Sequence, residues 1–153
     1  KLAAKGAVLI EGPKWCGKTT TAEEFAASKV MLARTDVKEH FKSLLEIDTD
    51  AALTGDSPML IDEWQTVPKL WDAVRYTVDH RRKMGQFILT GSAVPDQEAE
   101  KMREHSGTGR FAWLTMRPMT LFESGDSNGK VSLEDLFSTP EKILEKSSLN
   151  LSI

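Results

Sequence analysis

The run Gly12-Pro13-Lys14-Trp15-Cys16-Gly17-Lys18-Thr19 constrains this chain more than any other feature of it. The apolar stretch Ala7-Val8-Leu9-Ile10 leads into it, and a helix-favouring stretch from Lys18 to Ser28 leads out. A short uninterrupted apolar run is the pattern of a strand buried on both faces, which belongs inside a parallel sheet. The fixed positions Gly-x-x-x-x-Gly-Lys-Thr then demand a tight turn between that strand and the helix. Glycine lets backbone N–H groups converge there on a small concave space without a Cβ in the way. The helix N-terminus adds partial positive charge. A row of phosphates fits such a space.

Residues Gly12 to Thr20 are therefore expected to cradle the phosphates of a nucleotide. Lys18 would reach the β- and γ-phosphates as a mobile point charge, and the Thr19 hydroxyl would coordinate Mg2+. By average composition the pattern arises in roughly one chain of this length in a few hundred, and the strand before it and helix after it make coincidence rarer still. Pro13, Lys14, Trp15 and Cys16 occupy variable positions of the loop, and Thr20 follows it. Trp15 reads as a surface residue or as one lying against the nucleotide. Cys16 reads as a small filler, since no adjacent base would activate it.

Further strands are expected at Val30–Ala33, Pro58–Asp62, Gln86–Thr90 and Phe111–Met116. Helical spacing places Ala22, Phe25 and Ala26 on one face of the helix after the loop. Asp36 is expected to cap a second helix carrying Val37, Phe41, Leu44 and Leu45. Pro68 marks the start of another, with Leu70, Trp71, Val74 and Val78 as its core face. Residues 48–57 read as a loop, 96–104 as charged and helix-favouring, and 132–138 and 140–146 as short helices. Strands alternating with helices imply βαβ units, hence an α/β three-layer αβα sandwich around a parallel five-stranded sheet. Ligands of such sheets bind at the C-terminal strand ends, where the chemically suggestive residues are expected to fall. The 153 residues suffice for one core, placed at 1–124, with a helical or linker tail at 125–153.

Asp62-Glu63 closes the apolar run Met59-Leu60-Ile61. An aspartate there can hold the Mg2+ that bridges phosphates, and the neighbouring glutamate can accept a proton from attacking water. Alone, two acids at a strand end are unremarkable solvated groups; the upstream loop is what lends them chemistry. Residues 30–46 leave room for a strand and helix between the loop strand and the acidic strand. That arrangement favours the additional-strand ATPases over the GTPase and nucleotide-kinase branch. The sequence also lacks Asn-Lys-x-Asp, which would read guanine, so ATP is the expected nucleotide. Thr90 and Ser92 end the fourth strand and are candidates to touch the γ-phosphate or orient water; a simple turn is the alternative. Arg110 follows Ser106-Gly107-Thr108-Gly109 and is a candidate to neutralise charge on the transferred phosphoryl group, in its own subunit or a neighbour's. A surface ion pair is its plainer role.

These motifs together make the chain resemble the bacterial and archaeal AAA-type ATPases of the AAA_14 group. The resemblance rests on Gly-Pro-Lys-Trp-Cys-Gly-Lys-Thr, Leu-Ile-Asp-Glu-Trp-Gln, Phe-Ile-Leu-Thr-Gly-Ser-Ala, and Gly-Arg-Phe followed by Met-Arg-Pro-Met-Thr-Leu-Phe-Glu. It implies a five-stranded parallel core with the loop strand central, and ATP hydrolysis of motor or switch type. It further implies that Thr90-Gly91-Ser92 is a sensor segment and that Arg110 stands where the family carries Gly-Arg. Family members continue into a C-terminal region, so this chain is expected to be the ATPase core of a longer protein. Self-assembly or a protein partner would act through that region.

Composition and spacing argue against several other classes. The net charge of −3 gives no sign of a general polyanion-binding surface, and cations favouring a helix C-terminus suffice to explain Arg81-Arg82-Lys83, so a nucleic-acid partner is possible but not indicated. His40, His80 and His105 lack zinc-ligand spacing. A small-molecule kinase would need an arginine-rich lid, and no segment offers one. A single cysteine suits a reducing cytosol, and no apolar run approaches the roughly 20 residues that span a bilayer.

Overall fold

The computed structural model describes residues 1–92, 109–130 and 132–138. The helix-favouring stretch 96–104 and the second helix expected at 140–146 lie outside the described residues. The chain divides into two compact units, Lys1–Arg117 and Pro118–Ile153.

The first unit holds the sheet. Its strands are β1 (Ala7–Gly12), β2 (Ser28–Met31), β3 (Met59–Asp62), β4 (Phe87–Ser92) and β5 (Phe111–Thr115). The helices among them are α1 (Lys18–Glu23), α2 (Thr35–Ile47), α3 (Thr49–Ala52) and α4 (Lys69–Arg81). All four strand pairings are parallel, in the order β2-β3-β4-β1-β5. The intervening β2 is present, at one edge, and β4 lies between the loop strand and the acidic strand as expected. The loop strand itself is not central: β1 lies between β4 and β5, and β4 is the middle strand. β5 alone flanks β1 on its far side, whereas three strands lie on the other.

Side chains alternate between the two faces of the sheet. Ala7 and Leu9, Met59 and Ile61, and Phe87 and Leu89 enter one core with Leu70, Trp71, Val74 and Val78 of α4 and Phe41 and Leu45 of α2. Val8 and Ile10, Leu60 and Ile88 enter the other with Ala22 of α1. Every residue of β3 is buried, which is why its sequence shows an unbroken apolar run rather than alternation. On the first face Trp71 stacks on Phe111 at 4.1 Å between ring centroids and meets Trp64 at 5.2 Å. This aromatic layer joins α4, β5 and the turn that follows β3.

Local expectations changed in four places. The second strand spans Ser28–Met31 rather than Val30–Ala33, because the chain already turns at Leu32. The helix after the loop ends at Glu23, so Phe25 lies beyond it and is 61% exposed rather than part of a core face. Asp36 is not the cap of α2: the helix begins at Thr35, with Arg34 at the cap position. Asp36 instead occupies the first turn, where the helix dipole favours a carboxylate, and the Arg34 guanidinium 2.7 Å away pulls its carboxyl below the usual range. Within the stretch read as a loop, Asp48 accepts the Ala51 N–H at 2.9 Å and starts α3. The short polar side chain does there what an Ncap does for any helix.

In the second unit, Thr120 and Glu123 bond reciprocally. The Thr120 N–H and hydroxyl donate to Glu123 Oε2 at 2.8 and 2.9 Å, and the Glu123 N–H donates to Thr120 Oγ1 at 3.2 Å. The Thr120 N–H, and then its hydroxyl, hold the Glu123 carboxyl below the usual range. The helix expected at 132–138 forms at Leu133–Ser138.

Candidate nucleotide site

The loop after β1 is shaped by two close approaches. Gly12 ends the strand with the Met116 carbonyl pressed against it: an added Cβ would lie 2.2 Å from that oxygen and 3.0 Å from Cys16 Sγ. Only a residue without a side chain lets β1 run this close to the end of β5. Gly17, at φ +89, is the residue before α1 and turns the chain into it. Trp15 also takes a left-handed conformation (φ 65), and its side chain is fully exposed. Cys16 is partly buried, with its sulfur 3.9 Å from the Met116 carbonyl, in keeping with a filler. Lys18 is buried, and its ammonium donates to the Gly12 and Pro13 carbonyls at 3.0 and 2.7 Å.

Pleat parity brings the next residues together. Asp62 and Thr90 are register partners on β3 and β4, and each lies two residues beyond one that faces α1, Leu60 and Ile88. Both therefore project from the α1 side of the sheet. Asp62 Oδ1 accepts the Thr90 hydroxyl at 2.6 Å and the Thr19 hydroxyl of α1 at 2.7 Å. Asp62 is 6% exposed, so these two donors are what make its buried carboxylate tolerable. Thr90 bonds the aspartate itself, an arrangement the sequence reading did not contain.

Glu63 departs from the strand in a left-handed conformation, φ 58 and ψ 44. Its Oε2 accepts the Gln65 side-chain amide and lies 3.4 Å from the Ser92 hydroxyl. Ser92 thus joins Glu63, as Thr90 joins Asp62, on adjoining strand ends. Lys14, Trp15, Gly17, Lys18, Thr19, Thr20 and Glu63 line one cavity of about 500 Å³. Loop, helix start and acidic turn face a common space.

Arg110 is not brought to this space. Its carbonyl accepts the Ala7 N–H at 3.2 Å, which puts it beside the beginning of β1. The loop lies past the other end of that strand, roughly 17 Å away at about 3.3 Å per residue. The Arg110 guanidinium pairs instead with Asp79 of α4, Nε to Oδ1 at 2.5 Å. The expectation that every chemically suggestive residue falls at a C-terminal strand end fails for this one. The signal was in the residue order: a residue immediately before a parallel strand lies at the end opposite the ligand.

Among the described residues no cluster of three or more His, Cys, Asp or Glu is placed to hold a metal. Thr19 and Asp62 offer one hydroxyl and one carboxylate, hard oxygen donors already in mutual contact. That set suits Mg2+, which keeps most of its shell as water and phosphate oxygens. Sequence reasoning missed Gln65 and Trp64. Trp64 is fully buried and fixes the acidic turn in the aromatic layer. An apolar aromatic straight after two acids was the available sign of both.

The family model for the AAA domain AAA_14 matches residues 4–124. The chain belongs to this family. Its five-stranded parallel sheet and loop are those of a P-loop NTPase-type, nucleotide-binding domain. Uncharacterised proteins of Mycobacterium tuberculosis and Mycobacterium bovis are each 29% identical over 121 residues, covering 78% of this chain and 27% of the relative. The chain thus spans about a quarter of the length of these relatives. No helix among the described residues is long and apolar enough to cross a membrane.

Proposed function

We propose that this domain binds ATP with Mg2+ and hydrolyses it to ADP and phosphate. The observation that carries the reading is the pair of hydrogen bonds that Thr19 and Thr90 donate to Asp62 Oδ1, next to a cavity shared by Lys18 and Glu63. The loop amides and Lys18 hold the β- and γ-phosphates, the ammonium exchanging its bonds to Gly12 and Pro13 for phosphate oxygens. Thr19 and Asp62 would hold the magnesium, which would supply positive charge against that developing on the phosphates. Thr90 keeps Asp62 aimed by donating to it. Glu63 takes a proton from a water attacking the γ-phosphorus, the bond to the β–γ bridging oxygen breaks, and ADP leaves with that oxygen.

Adenine is favoured over guanine because the sequence carries no Asn-Lys-x-Asp. Arg110 enters this reading only through a neighbouring copy, given its place at the far end of β5. Residues beyond 124 lead, in this reading, to the region through which ATP use reaches a partner or another copy. The energy consumer is a process of the whole protein.

The test is ATP turnover by the full-length protein and by its Glu63→Gln variant. Loss of turnover with retained ATP binding is expected, and wild-type turnover in the variant would remove Glu63 from its role. A second reading, an ATP-dependent interaction switch with little intrinsic hydrolysis, is favoured by one feature: Glu63 is already engaged by Gln65 and Ser92. Tight ATP binding without measurable turnover in the full-length protein would decide for it.

A further inference from the structure

We propose that Gln65 is the positioning residue for the Glu63 carboxylate, resting on the reading of Glu63 as the base for hydrolysis. The argument begins in the backbone. Glu63 is held at φ 58, a conformation that side-chain-bearing residues adopt only where their surroundings impose it. The turn Trp64–Thr66 imposes it here. The Thr66 N–H and hydroxyl both donate back to the Glu63 carbonyl, at 3.0 and 2.9 Å, and the Val67 N–H donates to the Trp64 carbonyl at 3.0 Å. Trp64 is meanwhile sealed in the aromatic layer. A turn so tied fixes where the Gln65 side chain emerges, two residues after the carboxylate it meets.

The Gln65 amide nitrogen donates to Glu63 Oε2 and lies 3.4 Å from Ser92 Oγ, which itself lies 3.4 Å from Glu63 Oε2. The three side chains form a closed triangle at the ends of β3 and β4. The other end of the carboxamide is informative. Gln65 Oε1 is buried and accepts no hydrogen bond among the described residues. Leaving a buried carbonyl unpaired is unfavourable, so the side chain is not held there for the sake of its oxygen. The contact that accounts for its place is the one its nitrogen makes. Gly91 gives it room: a Cβ there would lie 2.7 Å from Gln65 Oε1 and 2.9 Å from Trp64 Nε1.

The choice of residue fits the task. A glutamate side chain has three rotatable bonds, and a general base works only within hydrogen-bond reach of the proton it takes. A neutral amide donor restricts the carboxylate without the full charge with which lysine or arginine would oppose its proton uptake. Glutamine does this at fixed reach, and glutamate in its place would keep the shape but offer no donor.

The test compares the full-length protein with Gln65→Ala and Gln65→Glu, reading kcat, KM for ATP and affinity for a non-hydrolysable ATP analogue. In both variants kcat is expected to fall about ten- to a hundredfold, the scale set by misplacing a catalytic group by about 1 Å. KM and analogue affinity stay near wild type, because Gln65 is not among the residues facing the loop. Should Gln65→Ala unfold, the isosteric Gln65→Glu carries the comparison. Wild-type kcat in these variants, while Glu63→Gln is inactive, overturns the proposal. So does a rise in kcat, which would make Gln65 a restraint, or a loss expressed in KM alone. Wild-type turnover in Glu63→Gln defeats the parent reading instead. A turnover-free measurement then still judges the contact: the Gln65 side-chain amide proton donated to the carboxylate should resonate downfield and return toward the free-amide position in Glu63→Ala. An unmoved resonance overturns it.

Discussion

The two ends of the sheet are built from the same kinds of charged residue and treat them in opposite ways. At the C-terminal end, Lys18 and Asp62 are buried, and each is satisfied by neutral partners: backbone carbonyls for the ammonium, hydroxyls for the carboxylate. At the N-terminal end, Arg110 and Asp79 are opposite charges that meet while 37% and 48% exposed. A cation and an anion held apart with hydroxyls and carbonyls can both turn to a third, multiply charged body. An ion pair closed on itself has less to offer such a body. The difference explains why only one end reads as a phosphate site, although both have a cavity nearby.

The comparison can be broken at the acidic turn first. Trp64→Ala removes a fully buried ring from the layer that anchors Glu63 and should cost about 3–5 kcal/mol in denaturant unfolding. A smaller cost would mean that the turn stands without its aromatic anchor. Lys18→Ala should come next, weakening ATP binding by at least about a hundredfold, or about 2.8 kcal/mol, in a calorimetric titration. Near-normal affinity would mean that the ammonium serves only to close the loop on itself.

Thr90→Val keeps the shape of a buried side chain and deletes one of the two donors to Asp62. It should cost about 1–3 kcal/mol of stability and raise the magnesium concentration needed for ATP binding. An unchanged magnesium requirement would separate Thr90 from the metal's carboxylate. The smallest effect belongs to the other end. The Arg110 guanidinium beside Asp79 holds that carboxyl below its ordinary 3.8. The pair's contribution is therefore fully present above that value and is lost as pH falls through the depressed folded one. At this exposure, screening keeps it small. Arg110→Ala should leave ATP affinity unchanged and flatten only the acid end of the stability profile. A loss of affinity in a monomeric sample would bring Arg110 back to its own subunit's site.

How far the site was legible from sequence differs residue by residue. Gly12, Gly17, Lys18 and Thr19 lie within one short segment, and a turn between a buried strand and a helix leaves them few alternative arrangements. Asp62 and Glu63 were recognisable because an apolar run must end where its strand leaves the core. Thr90 was assigned to the right strand end but not to its partner, because register between strands far apart in sequence is set by packing. The helix after the loop reads as running to Ser28 but ends at Glu23, since helical spacing in a short segment does not say where the turn to the next strand begins. Gln65 enters the sequence reading only inside the motif Leu-Ile-Asp-Glu-Trp-Gln, with no role of its own, because its contact depends on a three-residue turn whose shape no periodicity announces.

What the sequence determined by itself is the local chemistry: a phosphate loop, a carboxylate pair, and the strand–helix alternation that makes the sheet parallel. These depend on neighbours in the chain, and short-range sterics and hydrophobic periodicity suffice to read them. Only the tertiary structure decided that Thr19 and Thr90 share one oxygen of Asp62, that Gln65 and Ser92 close on Glu63, and that Arg110 stands at the far end. Those facts depend on strand register, pleat parity and a buried aromatic layer. They arise from long-range packing, which couples residues that the sequence holds apart.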